Sequence, residues 1–81
     1  MIKVLFFGRL REQLAVDSID LNDDVESLSV MIEQLKQRGD NWQQALSNPN
    51  LKAAINQTMM PFNSAVKDGD EVALFPPVTG G

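Results

Sequence analysis

Seven residues, Phe75 to Gly81 (FPPVTGG), carry the chemistry that this sequence offers at fixed spacing. Pro76 and Pro77 fix φ and have no N–H to give a sheet, so they project the chain stiffly away from whatever precedes them. Past Pro77 each residue reaches roughly 3.3 Å, about 13 Å in all. Gly80 and Gly81 have no Cβ; they can thread a narrow channel and take backbone angles closed to other residues. The reactive group at the tip is the α-carboxylate of Gly81, ionised at neutral pH with a reference pKa of about 3.5. A stiff spacer, a slim tip and a bare carboxylate describe a group delivered into another protein's active site. The bland alternative is a frayed terminus without a role. The expectation is that Gly81 is the native end, because the chain starts at Met1 and carries no tag.

The residue types that are missing point the same way. There is no cysteine, so no disulfide framework, thiolate nucleophile or thiolate metal site. There is no histidine either, which removes the commonest metal ligand and the commonest general base. A net charge of −4 and a pI near 4.5 argue against a phosphate-backbone binder, so no nucleic acid is expected. The apolar run MIKVLFFG is too short for a secretion signal and far too short to span a bilayer. No membrane association and a cytoplasmic location are expected.

The elements that must hold this tail can be read from periodicity. With 43% hydrophobic and 22% charged residues over 81 positions, the chain can build one modest core. Ile2–Phe7 is β-rich and is cut off by Gly8; Ile2, Val4 and Phe6 share one face, and Lys3, Leu5 and Phe7 the other. Residues 9–16 allow one helical turn with Leu10 and Leu14 inward. Asp17–Leu21 is a weak strand followed by a turn at Asn22–Asp24. Ser27 is a good N-cap for a main helix whose stripe is Leu28, Met31, Ile32 and Leu35. Gly39 is placed to end that helix in the left-handed conformation. Asp40 or Asn41 caps a short second helix through Leu46. Lys52–Asn56 reads as a strand with Ala53 and Ile55 inward, KDGDE as a tight turn, and Glu71–Phe75 as the last strand with Val72 and Leu74 inward.

Strand, strand, helix, strand, strand is an α+β pattern in which one amphipathic helix covers one face of a mixed sheet curled around it. With a hairpin at the start and an apolar last strand beside the first, this is a β-grasp, the ubiquitin-like architecture. The division is a β-grasp domain over 1–75 and an extended Gly-Gly tail over 76–81. The uncovered face of the sheet receives Leu5, Phe7 and Phe75 by parity, with Met59 or Met60 beside them. A contiguous exposed apolar patch marks a partner surface. The competing arrangement has the short second helix or the FNSAV loop folded over that face.

MIKVLFFG, the Arg11–Glu12 pair, AAINQ, DGDEV and FPPVTGG together resemble the MoaD family, the sulfur-carrying small subunits of molybdopterin synthase. The resemblance runs from the first residue to the last, and FPPVTGG and DGDEV are its most specific parts. It implies that an E1-like (MoeB-like) adenylating enzyme uses ATP to convert the Gly81 carboxylate to an acyl-adenylate. A persulfide sulfur donor then turns it into a thiocarboxylate. The charged carrier docks on a MoaE-like large subunit, in a heterotetramer, and its sulfur goes to cyclic pyranopterin monophosphate. The expected partner contacts are Phe7, Arg11, Met59, Phe75, Pro76, Pro77, Val78, Thr79 and Gly80. No cofactor is expected on the chain itself. The alternatives are a sulfur carrier for the thiamin thiazole or tRNA thiolation, whose tails usually lack FPPVT, and a ubiquitin-like modifier joined to lysines through Gly81. A plain interaction module without terminal chemistry is a further reading.

Overall fold

The computed structural model describes residues 1–22 and 24–76. The alternation in the first segment builds β1 (Ile2–Phe6), with Ile2, Val4 and Phe6 buried and Lys3 exposed. A helix of six residues, α1 (Arg9–Leu14), follows and buries Leu10 and Leu14. Ala15 closes it in the left-handed region, φ 58°. The chain then returns as β2 (Ser18–Leu21), antiparallel to β1, with Val4 opposite Ile19 and Ile2 opposite Leu21.

The main helix, α2, spans Leu28–Lys36. Ser27 caps it as expected: its hydroxyl accepts from the Val30 N–H at 3.3 Å. The predicted stripe of Leu28, Met31, Ile32 and Leu35 is wholly buried. Its other end differs from expectation. Gly39 is not a left-handed terminator; its φ of 162° is ordinary extended backbone. The helix stops at Gln37 in right-handed geometry, and the Gln37 and Arg38 N–H groups reach back only three residues, to the Gln34 and Leu35 carbonyls, both at 3.1 Å. This tighter last turn satisfies carbonyls that a glycine cap would otherwise serve. Gly39 instead starts α3 (Asp40–Leu46), its carbonyl accepting from Gln43 N at 3.0 Å. Neither Asp40 nor Asn41 caps α3: Asp40 is its first residue, and the Asn41 amide reaches away to the Gln13 carbonyl, at 3.5 Å.

After α3 come β3 (Lys52–Ile55), β4 (Thr58–Met59) and β5 (Glu71–Phe75). The strand β4 was not legible in the sequence. Asn56 and Gln57 both take positive φ, 50° and 72°, the pattern of a two-residue hairpin turn, where Asn is favourable but the usual glycine is absent. The inward assignment of β3 holds: Ala53 is buried and Ile55, half-buried, packs against the core opposite Val72. Ala54 on the other face is covered too, flanked by Ala73 and Met59 in the sheet register.

The sheet order is β2-β1-β5-β3-β4, with β5 central, parallel to β1 and antiparallel to β3. This is the mixed, helix-wrapping sheet of a β-grasp. One core joins Ile2, Val4, Phe6, Val72 and Leu74 from the sheet to Leu28, Met31 and Leu35 from α2 and Leu10 from α1. Each such side chain contributes about 1.5–3 kcal/mol when fully buried. Trp42 closes the core from α3, its ring edge-on to Phe6 at 5.5 Å with Arg38 stacked over it at 5.3 Å.

Candidate functional site

The tail must leave from the end of β5, so the site is built from the residues around Phe75 and Pro76. The β1–β5 register pairs Leu5 with Ala73, and the Phe7 N–H donates to the Leu74 carbonyl at 3.1 Å. Extending that parallel register by two residues sets Phe7 beside Phe75 on the outer face. On the other side Phe75 pairs with Lys52. One step further from the tail, a row runs across all five strands: Ser18, Leu5, Ala73, Ala54 and Met59. The next row is polar, with Asp20, Lys3 and Glu71. The outer face is therefore graded, apolar where the tail departs and charged at the opposite end.

The apolar end is open to solvent. Phe7 is 46% exposed and Met59 56%, with Leu5, Ala73 and Phe75 half-buried. The two segments that could have covered it lie elsewhere. The FNSAV loop is held to the N-terminus of α2: its Phe62 and Ser64 carbonyls accept from Ser29 N at 2.9 Å and Leu28 N at 3.1 Å. The second helix packs Trp42 against Phe6, a side chain of the inner face. Met60, exposed at 37%, follows Met59 and lines a shallow groove with Pro49, Leu51, Pro61 and Phe62.

One residue of the tail root escaped sequence reasoning, which gave Gly8 only the role of ending β1. Gly8 has φ 58° and ψ −133°, a backbone state essentially reserved for glycine. A Cβ placed on it would stand 3.3 Å from Pro76 Cγ and 3.4 Å from Pro76 Cδ. The proline ring thus rests against the bare backbone of Gly8, at the point where the last strand ends. A glycine directly after a strand, in a chain ending its last strand at a proline, was the only available signal.

Arg11 is not brought to the strand rows. It sits on α1 with its side chain exposed, its Nε 3.7 Å from Asp17 Oδ1. Such an exposed pair contributes little to stability, so the guanidinium is free to exchange partners. Pro77, Val78, Thr79, Gly80 and Gly81, named above for the tail, lie outside the described residues.

At the opposite end of the sheet the AAINQ and DGDEV segments meet. The Asn56 amide donates to Asp70 Oδ1 at 3.0 Å, and Asn56 Oδ1 accepts from Glu71 N, also at 3.0 Å. Asp70 Oδ2 accepts from Lys67 N at 2.8 Å, closing the tight turn whose Gly69 has φ 92°. Asn56, Asp70 and Gly69 thus hold together the end of the sheet opposite Pro76. Among the described residues no group of three carboxylates could hold a metal ion, and no helix is long and apolar enough to cross a membrane.

The family model described as the ThiS family matches residues 4–81. A protein of Haemophilus influenzae named molybdopterin synthase sulfur carrier subunit is 54% identical over 81 residues, covering all of both chains. Among solved structures, the complex of subunits 1 and 2 of the molybdopterin-converting factor from Helicobacter pylori contains a chain 26% identical, with a TM-score of 0.68, covering 99% of this chain and 97% of that one. The small archaeal modifier protein 1 of Methanosarcina acetivorans superposes with a TM-score of 0.80 at 22% identity, covering 99% and 95%. That last likeness is one of fold.

Proposed function

This chain belongs to the ThiS family, and we propose that it is the sulfur carrier subunit of a molybdopterin synthase. The observation that carries the reading is the coincidence of an open apolar face, Leu5, Phe7, Phe75 and Met59, with the point where the FPPVTGG segment leaves the sheet. Docking that face on a large subunit would aim the tail at the partner's active site. The full-length likeness to a sulfur carrier subunit of Haemophilus influenzae supports the same assignment.

The chemistry follows from the tip. A carboxylate resists substitution by sulfur until one oxygen becomes a good leaving group. In the proposed cycle the Gly81 carboxylate attacks the α-phosphorus of ATP on an E1-like enzyme, pyrophosphate departs, and an acyl-adenylate remains. A persulfide sulfur then attacks the acyl carbon and AMP leaves. A thiol cleaves the resulting S–S bond and frees the thiocarboxylate, a soft sulfur nucleophile. Delivery to cyclic pyranopterin monophosphate takes place on the large subunit. With no cysteine and no histidine, this chain holds the sulfur only at its tip and supplies no general base. In this reading the chain has no resident cofactor, ATP belongs to the activating partner, and the cycle runs in the cytoplasm.

The test is intact mass after co-expression with the cognate activating enzyme and sulfur donor. The expected product is heavier by the difference between one sulfur and one oxygen, located on Gly81. A chain that stays unmodified, or that appears joined through Gly81 to lysines of other proteins, would overturn the assignment.

A further inference from the structure

Four methionines serve as internal comparisons for one another. Met31 is 0% exposed, in the middle of α2 and the core. Met1 is exposed but lies at the charged end of the sheet, where the N-terminal ammonium pairs with Asp68. Met60 and Met59 both line the groove beside Phe62, but of the two Met59 alone belongs to a strand, β4. Met59 is the largest apolar side chain at its end of the cross-sheet row, opposite Ala54 and in line with Ala73 and Leu5. It also sits on the outermost strand, β4, which has a neighbour on one side only.

We propose that Met59 is a reversible oxidation site, through which hydroperoxides weaken docking of the outer face. Susceptibility of a thioether follows its exposure, and the unloaded chain, its Gly81 still a carboxylate, has no thiol to react first. The sulfur lone pair of Met59 attacks one peroxide oxygen and the O–O bond breaks. Sulfur is oxidised by two electrons to the sulfoxide while hydrogen peroxide is reduced to water. A thiol-dependent sulfoxide reductase reverses the step, with two thiols becoming a disulfide and the oxygen leaving as water. The product is a polar, chiral group in place of a flexible apolar one. It lands in the row that the partner must desolvate, so docking loses apolar contact and has a polar oxygen to bury. Bound partner covers the same row, so the docked carrier is shielded and the free carrier is the vulnerable form. The proposal rests on the outer face being the docking surface.

The experiment exposes the full-length protein to dilute hydrogen peroxide and maps sulfoxides by peptide mass spectrometry. Binding to the large subunit of the synthase is titrated before and after exposure, for the native chain and for Met59→Leu, each against its own untreated baseline. The expected result is sulfoxide at Met59 with Met31 spared, an affinity loss of about tenfold in the native chain, recovery after treatment with the two sulfoxide reductases, and no peroxide-dependent loss in Met59→Leu. Unmodified Met59, equal affinity after its oxidation, or the same loss in Met59→Leu would overturn the proposal. If the untreated protein does not bind the large subunit at all, the functional reading fails, and the docking consequence of oxidation with it. The sulfoxide map still decides the chemical site.

Discussion

Pro76 lies against Gly8, with its Cγ 3.3 Å from the position a Cβ on Gly8 would occupy. The contact joins the end of β1 to the exit of β5, two neighbouring central strands. It seats Pro76, the first residue after β5, against the end of β1. Gly8→Ala should cost about 1–3 kcal/mol of stability, since φ 58° with ψ −133° strains any L side chain. The added methyl must also push the proline ring aside. Urea denaturation measures the first effect. Single-turnover sulfur transfer, on variant protein shown to be folded, measures the second and should be slower than native. A Gly8→Ala protein as stable as the parent would mean the backbone there relaxes freely and does not hold Pro76.

Phe75 stands on the outer face between Phe7 and Lys52, half-buried, at the last position of β5. Phe75→Glu should weaken binding to the large subunit by about 2 kcal/mol, roughly thirtyfold. It removes apolar area and sets a carboxylate where water must be expelled. Isothermal titration checks this, with a melting curve alongside to confirm folding. Unchanged affinity in folded protein would show that the partner does not use this end of the sheet.

The apolar patch of the outer face was legible in the sequence because two simple periods were enough, while its grading toward a charged end needed the strand register. Alternation in IKVLFF and EVALF assigns Leu5, Phe7 and Phe75 to the uncovered side, and the stripe Leu28–Met31–Ile32–Leu35 says which side the helix takes. What stayed hidden depended on backbone conformation. The start of β4 follows a turn with two positive-φ residues and no glycine, so nothing local announced it. The role of Gly39 was misread because a glycine after a helix can serve either end of a junction, and here the next helix claims it. Gly8 looked like simple punctuation, since its neighbour Pro76 is 68 residues away in the chain. Arg11 carried a family resemblance but no spatial signal, and the structure places it on α1, beside Asp17.

Asn56 offers a test at the far end of the sheet. Its side chain makes two hydrogen bonds, to Asp70 Oδ1 and from Glu71 N, and its φ of 50° suits asparagine better than most residues. Asn56→Ala should lower stability by about 1–2 kcal/mol, because it leaves one carboxylate oxygen and one backbone N–H to water and strains the turn. Large-subunit affinity should stay near native, since the residue lies away from the apolar rows. A drop in affinity without a drop in stability would place the docking surface at the charged end and contradict the graded-face reading.

The tail supplies the most specific prediction. Ordering a flexible residue costs about 1–2 kcal/mol of backbone entropy, and a tail that enters a channel at every docking event meets that cost each time. Pro76 and Pro77 restrict the chain in advance, whereas Gly80 and Gly81 must remain slim. Replacing both prolines by glycine should weaken productive docking without removing any reactive group. Deleting Gly81 should abolish sulfur transfer and leave the melting temperature unchanged, because the described core ends at Leu74. Gly80→Val keeps the terminal carboxylate and adds only a branched side chain one residue before it. If a narrow channel is the reason for two terminal glycines, this variant should block sulfur loading or transfer. Single-turnover assays that follow loading and delivery separately show which step is lost. Native rates for Gly80→Val would mean that the channel is wide at that point, and the paired glycines would then need another explanation.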